Sequence, residues 1–256
     1  MATSNIKPQH TNTTVYNGGG ICNQIIRNVC VSEIARKYNL KFSYICYPET
    51  LELGIPLFIG GNHFYPTYME FDDDKFEEYI DVNGPQVLQQ NIYVHPYYFQ
   101  TPFTARYLRQ LFSTEPVRTD IIQANKYRER YEKNVDLCIH VRLGDAAQFN
   151  PGLEYYDHML QNVTPWYDTG YIVSDEIGHP LCQELIQKYR LTVFEGSPIE
   201  TLMFGSTCKY ILTSGGTFSW MMGVLGFFSQ IYCPNMENLT PWHGNIFVFE
   251  DWIKST

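Results

Sequence analysis

Long apolar runs are missing from this sequence. No segment approaches the roughly 18 uninterrupted apolar residues that a membrane-spanning helix requires, so no membrane span is expected. Basic residues are also scarce: 18 Lys and Arg stand against 27 Asp and Glu, which gives a net charge of −9 and a pI near 5.2. This balance opposes broad binding to nucleic acid or to anionic lipid. A small anionic ligand would need a local positive pocket.

Cysteine is too sparse and too irregular for a disulfide or zinc framework. The seven cysteines are odd in number, contain no CxxC pair and mostly lie in apolar runs such as LCIHV and QIYCP. We therefore expect reduced, buried thiols.

An apolar signal-peptide core is absent from the polar N-terminal segment MATSNIKPQHTNTT, so a cytoplasmic location is expected. Residues of the set AVILMFWYC make up 44% of the 256 residues, which argues against a disordered chain. A chain of this length and composition forms one large domain or two small lobes with separate cores.

The second half of the chain alternates short apolar runs with amphipathic stretches, the pattern of a parallel sheet with crossover helices. It predicts a five-stranded doubly wound unit with strands at Val135–Val141, Gly170–Val173, Leu191–Phe194, Lys209–Thr213 and Gln230–Cys233. The intervening helices are predicted near 153–162, 178–189, 198–205 and 217–227. Ligands of such sheets bind beyond the carboxyl ends of the strands, which directs attention to the loops there.

The first half predicts a second, less regular α/β lobe. Its predicted elements are a strand at Thr13–Tyr16, a helix from about Gln24, strands at KFSYIC and NIYVH, and helices near 103–112 and 119–131. The charged stretch RERYEKN is the expected boundary between the lobes. We accordingly divide the chain into residues 1–132 and 133–256, and leave open whether the last residues pack back on the first lobe.

The glycine loop Asn17–Gln24, NGGGICNQ, lies at a predicted strand-to-helix turn. Its glycines permit positive φ and close ligand approach, and the following helix directs free N–H groups and partial positive charge at the loop. The spacing matches neither GxGxxG nor GxxxxGK[ST], which disfavours a nicotinamide-dependent oxidoreductase. A site for an anion or a sugar, and a tight turn without a ligand, both fit this segment.

Polar residues end the apolar strand LCIHV, in the order His140, Arg142 and Asp145. Packing explains this poorly, because Arg142 would bring a permanent charge to the rim of a core. Alternation along the strand places His140 and Arg142 on the same side, where the guanidinium would grip a phosphate in two places. Asp145 would orient the arginine or cap a turn.

Two further strand ends carry polar groups. ILTSGGTFSW places the hydroxyls of Thr217 and Ser219 and a helix start after a strand, which suits contact with a diphosphate or a plain helix cap. In YIVSDE, Asp175 ends a strand and would accept hydrogen bonds from a base or a ribose.

In this order and at these separations, GGGICNQ, HVRLGD, YIVSDE and CKYILTSGGTFSWMMG resemble the motifs of the α-1,2-fucosyltransferase-like glycosyltransferase family. The resemblance implies a GT-B-like fold, with two Rossmann-like lobes and a cleft between them. It also implies that the C-terminal lobe holds GDP-fucose and that L-fucose passes with inversion to a hydroxyl of a glycan, without a metal or other cofactor.

By motif position, the resemblance assigns Arg142 to the β-phosphate and brings Asn23 to the donor from the other lobe, and we predict both as catalytic. His140 and Asp175 would face the guanine. The predicted donor-binding residues are Gly19, Gly20, His140, Arg142, Asp145, Asp175, Thr217, Phe218 and Ser219.

The charge arithmetic permits a metal-free reaction. Bond cleavage leaves about two negative charges on the diphosphate, whereas Arg142 supplies one positive charge and two helix starts add roughly half a charge each. This sum is about sufficient.

The sequence departs from a common family form, which has glycine where Cys22 stands, a second arginine where Leu143 stands and paired tryptophans where Trp220-Met221 stands. It also assigns no catalytic base. The alternatives are therefore a transferase for another GDP-sugar and a catalytically silent nucleotide or glycan binder. The run Asp72-Asp73-Asp74 is a competing signal, because its DxD spacing suits a divalent ion and a nucleotide diphosphate, as in metal-dependent GT-A enzymes. A helix cap with two solvated neighbours also explains that run.

Overall fold

The structure, a computed structural model, describes most of the chain. The described residues are 19–45, 47–94, 99–163, 166–236 and 244–255. The strand predicted at Thr13–Tyr16 and the first two residues of the glycine loop lie outside these ranges.

Helix α1, Ile21–Tyr38, follows the glycine loop directly. It begins three residues before the predicted start and ends at Asn39, whose left-handed φ of 54° stops the helix. Most of its surface is buried, including the polar residues Gln24 and Arg27. The first half of the chain is therefore built around α1.

The remaining elements of the first half are short. They are α2 Tyr47–Glu52, β1 Tyr68–Glu70, α3 Asp73–Ile80, β2 Asn91–Tyr93, α4 Pro102–Ser113 and α5 Val117–Ala124. β1 and β2 pair in parallel, so the predicted strand NIYVH is confirmed over its first three residues. α4 confirms the helix predicted near 103–112.

Two predicted elements of the first half differ from the structure. The described part of KFSYIC contains a bridge residue, Ser43, rather than a strand. One reason is that the side-chain amide of Asn28 donates to the Ile45 carbonyl, which a strand neighbour would otherwise use. The helix predicted near 119–131 ends at Ala124 because the buried Asn125 turns away to donate to the Met203 carbonyl at 2.9 Å.

The second half forms a six-stranded, wholly parallel sheet. Its strands are β3 Leu137–Val141, β4 Gly170–Ser174, β5 Thr192–Val193, β6 Tyr210–Leu212, β7 Gln230–Cys233 and β8 Ile253–Lys254. The spatial order is β5-β4-β3-β6-β7-β8, which is the order of a doubly wound Rossmann-type sheet. The five predicted strands are confirmed. The two-residue β8 lacks a pattern long enough for sequence reasoning to find it.

The crossover helices lie close to their predicted positions. They are α6 Leu153–Val163, α7 Pro180–Tyr189, α8 Pro198–Gly205 and α9 Thr217–Val224. Local signals explain the agreement. α7 and α8 each carry a proline in the first turn, and α8 begins with a capping box between Ser197 and Glu200. The mixed α/β class with a parallel sheet is thus confirmed.

The alternation of β3 divides its side chains between two hydrophobic clusters. Leu137, Ile139 and Val141 pack with α6 and α7 on one face of the sheet. Cys138 packs on the other face in a cluster that also contains α1 and α9. Because this second cluster includes both halves of the chain, it brings the start of α1 against the sheet edge. The division at residues 132 and 133 stays a prediction.

The C-terminal segment contacts the first half. Arg109 of α4 forms an ion pair with Asp251 and places its guanidinium 4.4 Å from the ring centre of Phe249. Trp252 lies in the cluster shared with α1.

The six cysteines among the described residues are free and buried, in agreement with the sequence. Burial raises the pKa of Cys22 far above its ordinary value and that of Cys233 to about 12, so these thiols stay protonated. Across the described ranges, none of the helices combines the length and the apolar character that crossing a membrane requires.

The aspartate run begins α3. Asp72 is the N-cap residue, and its carboxylate accepts a hydrogen bond from the Lys75 backbone N–H at 2.9 Å. The helix-cap interpretation is therefore confirmed for Asp72. The expectation of two solvated neighbours is wrong for Asp73, which is half-buried and accepts a hydrogen bond from the Phe99 backbone N–H.

Asp72→Ala should lower the free energy of unfolding by about 1 kcal/mol, because the first turn of α3 loses its side-chain acceptor. Urea denaturation measures this change. Asp74→Ala is the matched control and should cost only a few tenths of a kcal/mol, the contribution of a charge near a helix start. Stabilisation by Mg²⁺ or Mn²⁺ that Asp72→Ala abolishes would instead support the metal-site alternative.

Candidate functional site

A cavity of about 610 Å³ lies at the carboxyl edge of the parallel sheet. It includes residues that follow β3, β4, β5 and β6, and the start of α1 lines it from the other side. β3 and β6 are the neighbours at which the strand order reverses, the position where doubly wound sheets bind ligands. The predicted site residues that line the cavity are Gly19, Gly20, Asn23, His140, Arg142, Asp145, Asp175, Thr217 and Phe218.

Two helix N-termini open into this cavity. α1 follows Gly20 and α9 follows Gly216, and neither N-cap residue supplies a side-chain hydrogen bond. A Cβ on Gly20 would meet no atom within 4 Å, so the approach to the start of α1 is open. Uncapped helix starts carry free N–H groups and about half a positive charge each. The cavity therefore has two backbone sites for an anion.

Arg142 bridges two carboxylates at the mouth of the cavity. One terminal nitrogen bonds Asp175 and the other bonds Asp145. Asp175 also accepts the Leu143 backbone N–H at 2.9 Å, so each of its oxygens has a partner. Asp145 is much more exposed, with 78% of its side-chain surface accessible against 29% for Asp175. Asp175 is thus the fixed partner of the arginine and Asp145 the exposed one.

The loop after β3 requires glycine at one position. Gly144 has a φ of 46°, and a Cβ there would lie 2.6 Å from an Asp175 oxygen. This close approach lets the loop fold over the Asp175 carboxylate.

These ion pairs change the predicted charge arithmetic. The sequence counts Arg142 as a full positive charge, but in the structure two carboxylates already compensate it. The described residues that line the cavity include one further carboxylate, Glu195. A diphosphate would therefore depend more on the two helix starts, and would gain the guanidinium by displacing Asp145.

His140 is buried against the cavity wall, with 5% of its surface exposed. Its Nδ1 lies 3.1 Å from the Ser214 hydroxyl and is also hydrogen-bonded to the Ser219 hydroxyl. Its ring stacks on Phe218, with 4.9 Å between ring centres. Burial lowers the pKa of His140 to about 4, with a smaller opposing effect of Asp175. The imidazole is neutral at pH 7 and contributes hydrogen bonding and stacking rather than charge.

Ser219, unlike the other predicted donor-binding residues, lies behind the cavity wall. It is fully buried, and its hydroxyl accepts the Ser214 backbone N–H at 2.9 Å while it contacts His140. It does not line the cavity, because α9 turns it behind the imidazole. Its position suits holding His140 in place.

Sequence reasoning missed Gln100, which lines the cavity between β2 and α4. Its side-chain amide donates to the Asn23 Oδ1 at 3.0 Å, which leaves the Asn23 Nδ2 group for other acceptors. These residues are 77 positions apart, and no motif surrounds Gln100. Nothing in the local sequence indicated this contact.

The aspartate run is not among the described residues that line the cavity. Asp73 accepts the Phe99 backbone N–H at 2.9 Å, and burial raises its pKa to about 6. Within the described ranges, no group of three His, Cys, Asp or Glu residues is arranged to hold a metal ion.

No protein-family model and no curated protein matches this chain. The resemblance of its motifs to fucosyltransferases therefore stays a prediction.

Protonation of His140 gives a test of its environment. The unfolded chain binds this proton below the ordinary pKa of 6.5, whereas the native protein binds it only near pH 4. The neutral form of the buried imidazole therefore contributes to stability above pH 6.5, and this contribution is lost as the pH falls towards 4. About 2 kcal/mol of it is lost between pH 7 and pH 5. Asp73 acts in the opposite direction, because its native pKa is raised.

The measurement therefore uses Asp73→Asn as the parent protein. The free energy of unfolding is measured by urea denaturation at pH 7 and pH 5. Its decrease between these pH values should be about 2 kcal/mol smaller once His140→Gln is added to the parent. Groups that titrate identically in both proteins cancel in this comparison. Equal pH dependence in the two proteins would show that His140 is not held neutral by burial.

Proposed function

We propose that this chain is an inverting, metal-independent glycosyltransferase that moves L-fucose from GDP-fucose to a hydroxyl of a glycan acceptor. The observation that carries the proposal is the meeting of two uncapped helix starts and Arg142 in one cavity, at the switch point of a parallel sheet. This arrangement is suited to a nucleoside diphosphate.

The diphosphate would lie between the starts of α1 and α9. Gly20 and Gly216 leave the helix N–H groups accessible there, and Gly216 also lies beside the Arg142 side chain: a Cβ on it would be 3.7 Å from the arginine Cγ. In a GT-B-like reading, α1 belongs to the acceptor-side lobe and α9 to the donor lobe. The leaving group would then be bound by backbone amides from both sides.

Arg142 would exchange one carboxylate for phosphate when the donor binds. Asp175 is held by two donors and stays, whereas Asp145 has high exposure and a bond to Arg142 alone. Release of Asp145 would give the diphosphate one end of the guanidinium fork. As the sugar–phosphate bond breaks, the developing charge would be stabilised by this group and by the helix starts.

His140 and Phe218 would contact the nucleoside or the sugar. Both line the cavity, and a neutral imidazole avoids the cost of placing another charge in a buried wall. Gln100 orients Asn23, whose Nδ2 group would donate a hydrogen bond to the GDP-sugar from the α1 side. The acceptor hydroxyl would attack the anomeric carbon of the sugar from the face opposite the diphosphate. The bond from that carbon to the diphosphate would break, and GDP and the hydroxyl proton would be released. Attack from the opposite face accounts for inversion.

A catalytically silent binder is the second candidate. The observation that favours it is the double carboxylate pairing of Arg142, which weakens the charge available to a transition state. A transferase for a different GDP-sugar uses the same cavity and the same leaving group.

A nucleotide panel tests the donor class. In excess EDTA, GDP should raise the melting temperature of the full chain more than UDP or ADP at equal concentration, since ligand binding to the native state stabilises it. Incubation with GDP-fucose and glycan acceptors should then release GDP only with a suitable acceptor. Selective stabilisation by GDP without release would favour the silent binder, and a response to UDP with Mn²⁺ alone would contradict the proposal.

Arg142→Ala should leave a folded protein whose turnover is about a hundredfold lower, because removal of a donor to a developing oxyanion costs on the order of 3 kcal/mol. Arg142→Lys should recover only part of the rate, since an ammonium lacks the planar fork. The matched control is the exposed Arg106 of α4, whose substitution by alanine should not alter turnover. Normal turnover of Arg142→Ala would overturn the assignment.

A further inference from the structure

The wall of the cavity beyond β5 contains a carboxylate without an assigned role. Glu195 follows β5 by two residues, is exposed and lines the cavity. Unlike Asp145 and Asp175, it has no hydrogen bond or ion pair to another described residue. It is therefore available to a ligand.

The position of Glu195 matches the base end of a nucleotide. β5, β4 and β3 are consecutive neighbours in the sheet, so the ends of β5 and β3 lie about 10 Å apart, two strand spacings. Arg142 and the start of α9 mark the diphosphate position at the β3 end. In an extended nucleotide the base lies at about this separation from the diphosphate, with the ribose between them over β4.

The surroundings of Glu195 suit a flat heterocycle. Phe194 and Pro198 line the same part of the cavity, and the Phe194 ring is held by stacking on Phe204 at 4.0 Å between ring centres. Thr201, which is 9% exposed, adds a hydroxyl to this wall. An apolar surface with one carboxylate and one hydroxyl is the composition of a selective base site.

We infer that Glu195 is the residue that selects guanine over other bases at this site. A carboxylate only accepts hydrogen bonds, and guanine presents two adjacent donors, N1–H and the 2-amino group, on one edge. Adenine and uracil present a single donor group on the corresponding edge. The two oxygens of Glu195 would thus pair with guanine in the bidentate manner that fixes orientation.

This inference differs from the expectation drawn from the motifs, which places His140 and Asp175 against the guanine. His140 lies within β3, at the diphosphate end. Both Asp175 oxygens already have partners in Arg142 and Leu143. Asp175 also follows β4, one strand closer to the diphosphate. The inference rests on the proposed GDP-sugar donor.

The test compares GDP with inosine diphosphate, which keeps N1–H but lacks the 2-amino group. Dissociation constants are measured by calorimetry for the full chain, Glu195→Gln and Glu184→Gln. The native protein should bind GDP about tenfold more tightly than inosine diphosphate, the effect of one hydrogen bond to a charged group. In Glu195→Gln the ratio of the two dissociation constants should be near one, mainly because GDP binds more weakly. The glutamine side-chain NH₂ group would face the 2-amino group of guanine, and two donors do not form a hydrogen bond.

Glu184 is the matched control, since it is an exposed glutamate of α7 outside the cavity-lining residues. Glu184→Gln should keep the native ratio. If the native chain binds GDP but Glu195→Gln also keeps the ratio, the role of Glu195 is wrong and the donor class stands. If the native chain does not bind GDP, both the proposed function and this inference fail.

Discussion

The carboxylate of Asp175 organises the mouth of the cavity. It joins the ends of β3 and β4 by accepting hydrogen bonds from the Arg142 guanidinium and the Leu143 backbone N–H. The loop after β3 can pass this close to the Asp175 carboxylate only because Gly144 adopts a positive φ there. Through this ion pair the guanidinium is held at the sheet edge, beside the exposed Asp145.

A second set of interactions keeps His140 neutral in the cavity wall. Ser214 and Ser219 hold the imidazole of His140, and Phe218 covers its face. Burial then makes the neutral form the stable one at pH 7. The charged side chains among the described lining residues are therefore Arg142, its two carboxylate partners and Glu195, while the wall around His140 offers hydrogen bonds and stacking. This separation suits a ligand with an anionic centre and a neutral heterocycle.

Much of the fold could be predicted because its signals are local. Short apolar runs indicated β3, β4, β6 and β7, and prolines or capping residues marked the helix starts. The predictions were weaker in the first half, where side chains take over backbone partners: Asn28 occupies the Ile45 carbonyl, and Asn125 ends α5. Such contacts join distant segments and leave no periodic pattern.

The sequence by itself determined which groups stand at strand ends and helix starts, because those positions depend on neighbouring residues. These groups are His140 near the end of β3, Arg142 after it, Asp175 after β4, and the glycines before α1 and α9. Tertiary structure decided what these groups contact. It gave Arg142 two carboxylate partners, turned Ser219 behind His140 and brought Gln100 to Asn23 across 77 residues. The physical reason is that burial and charge pairing depend on packing between separate elements, which local sequence does not specify.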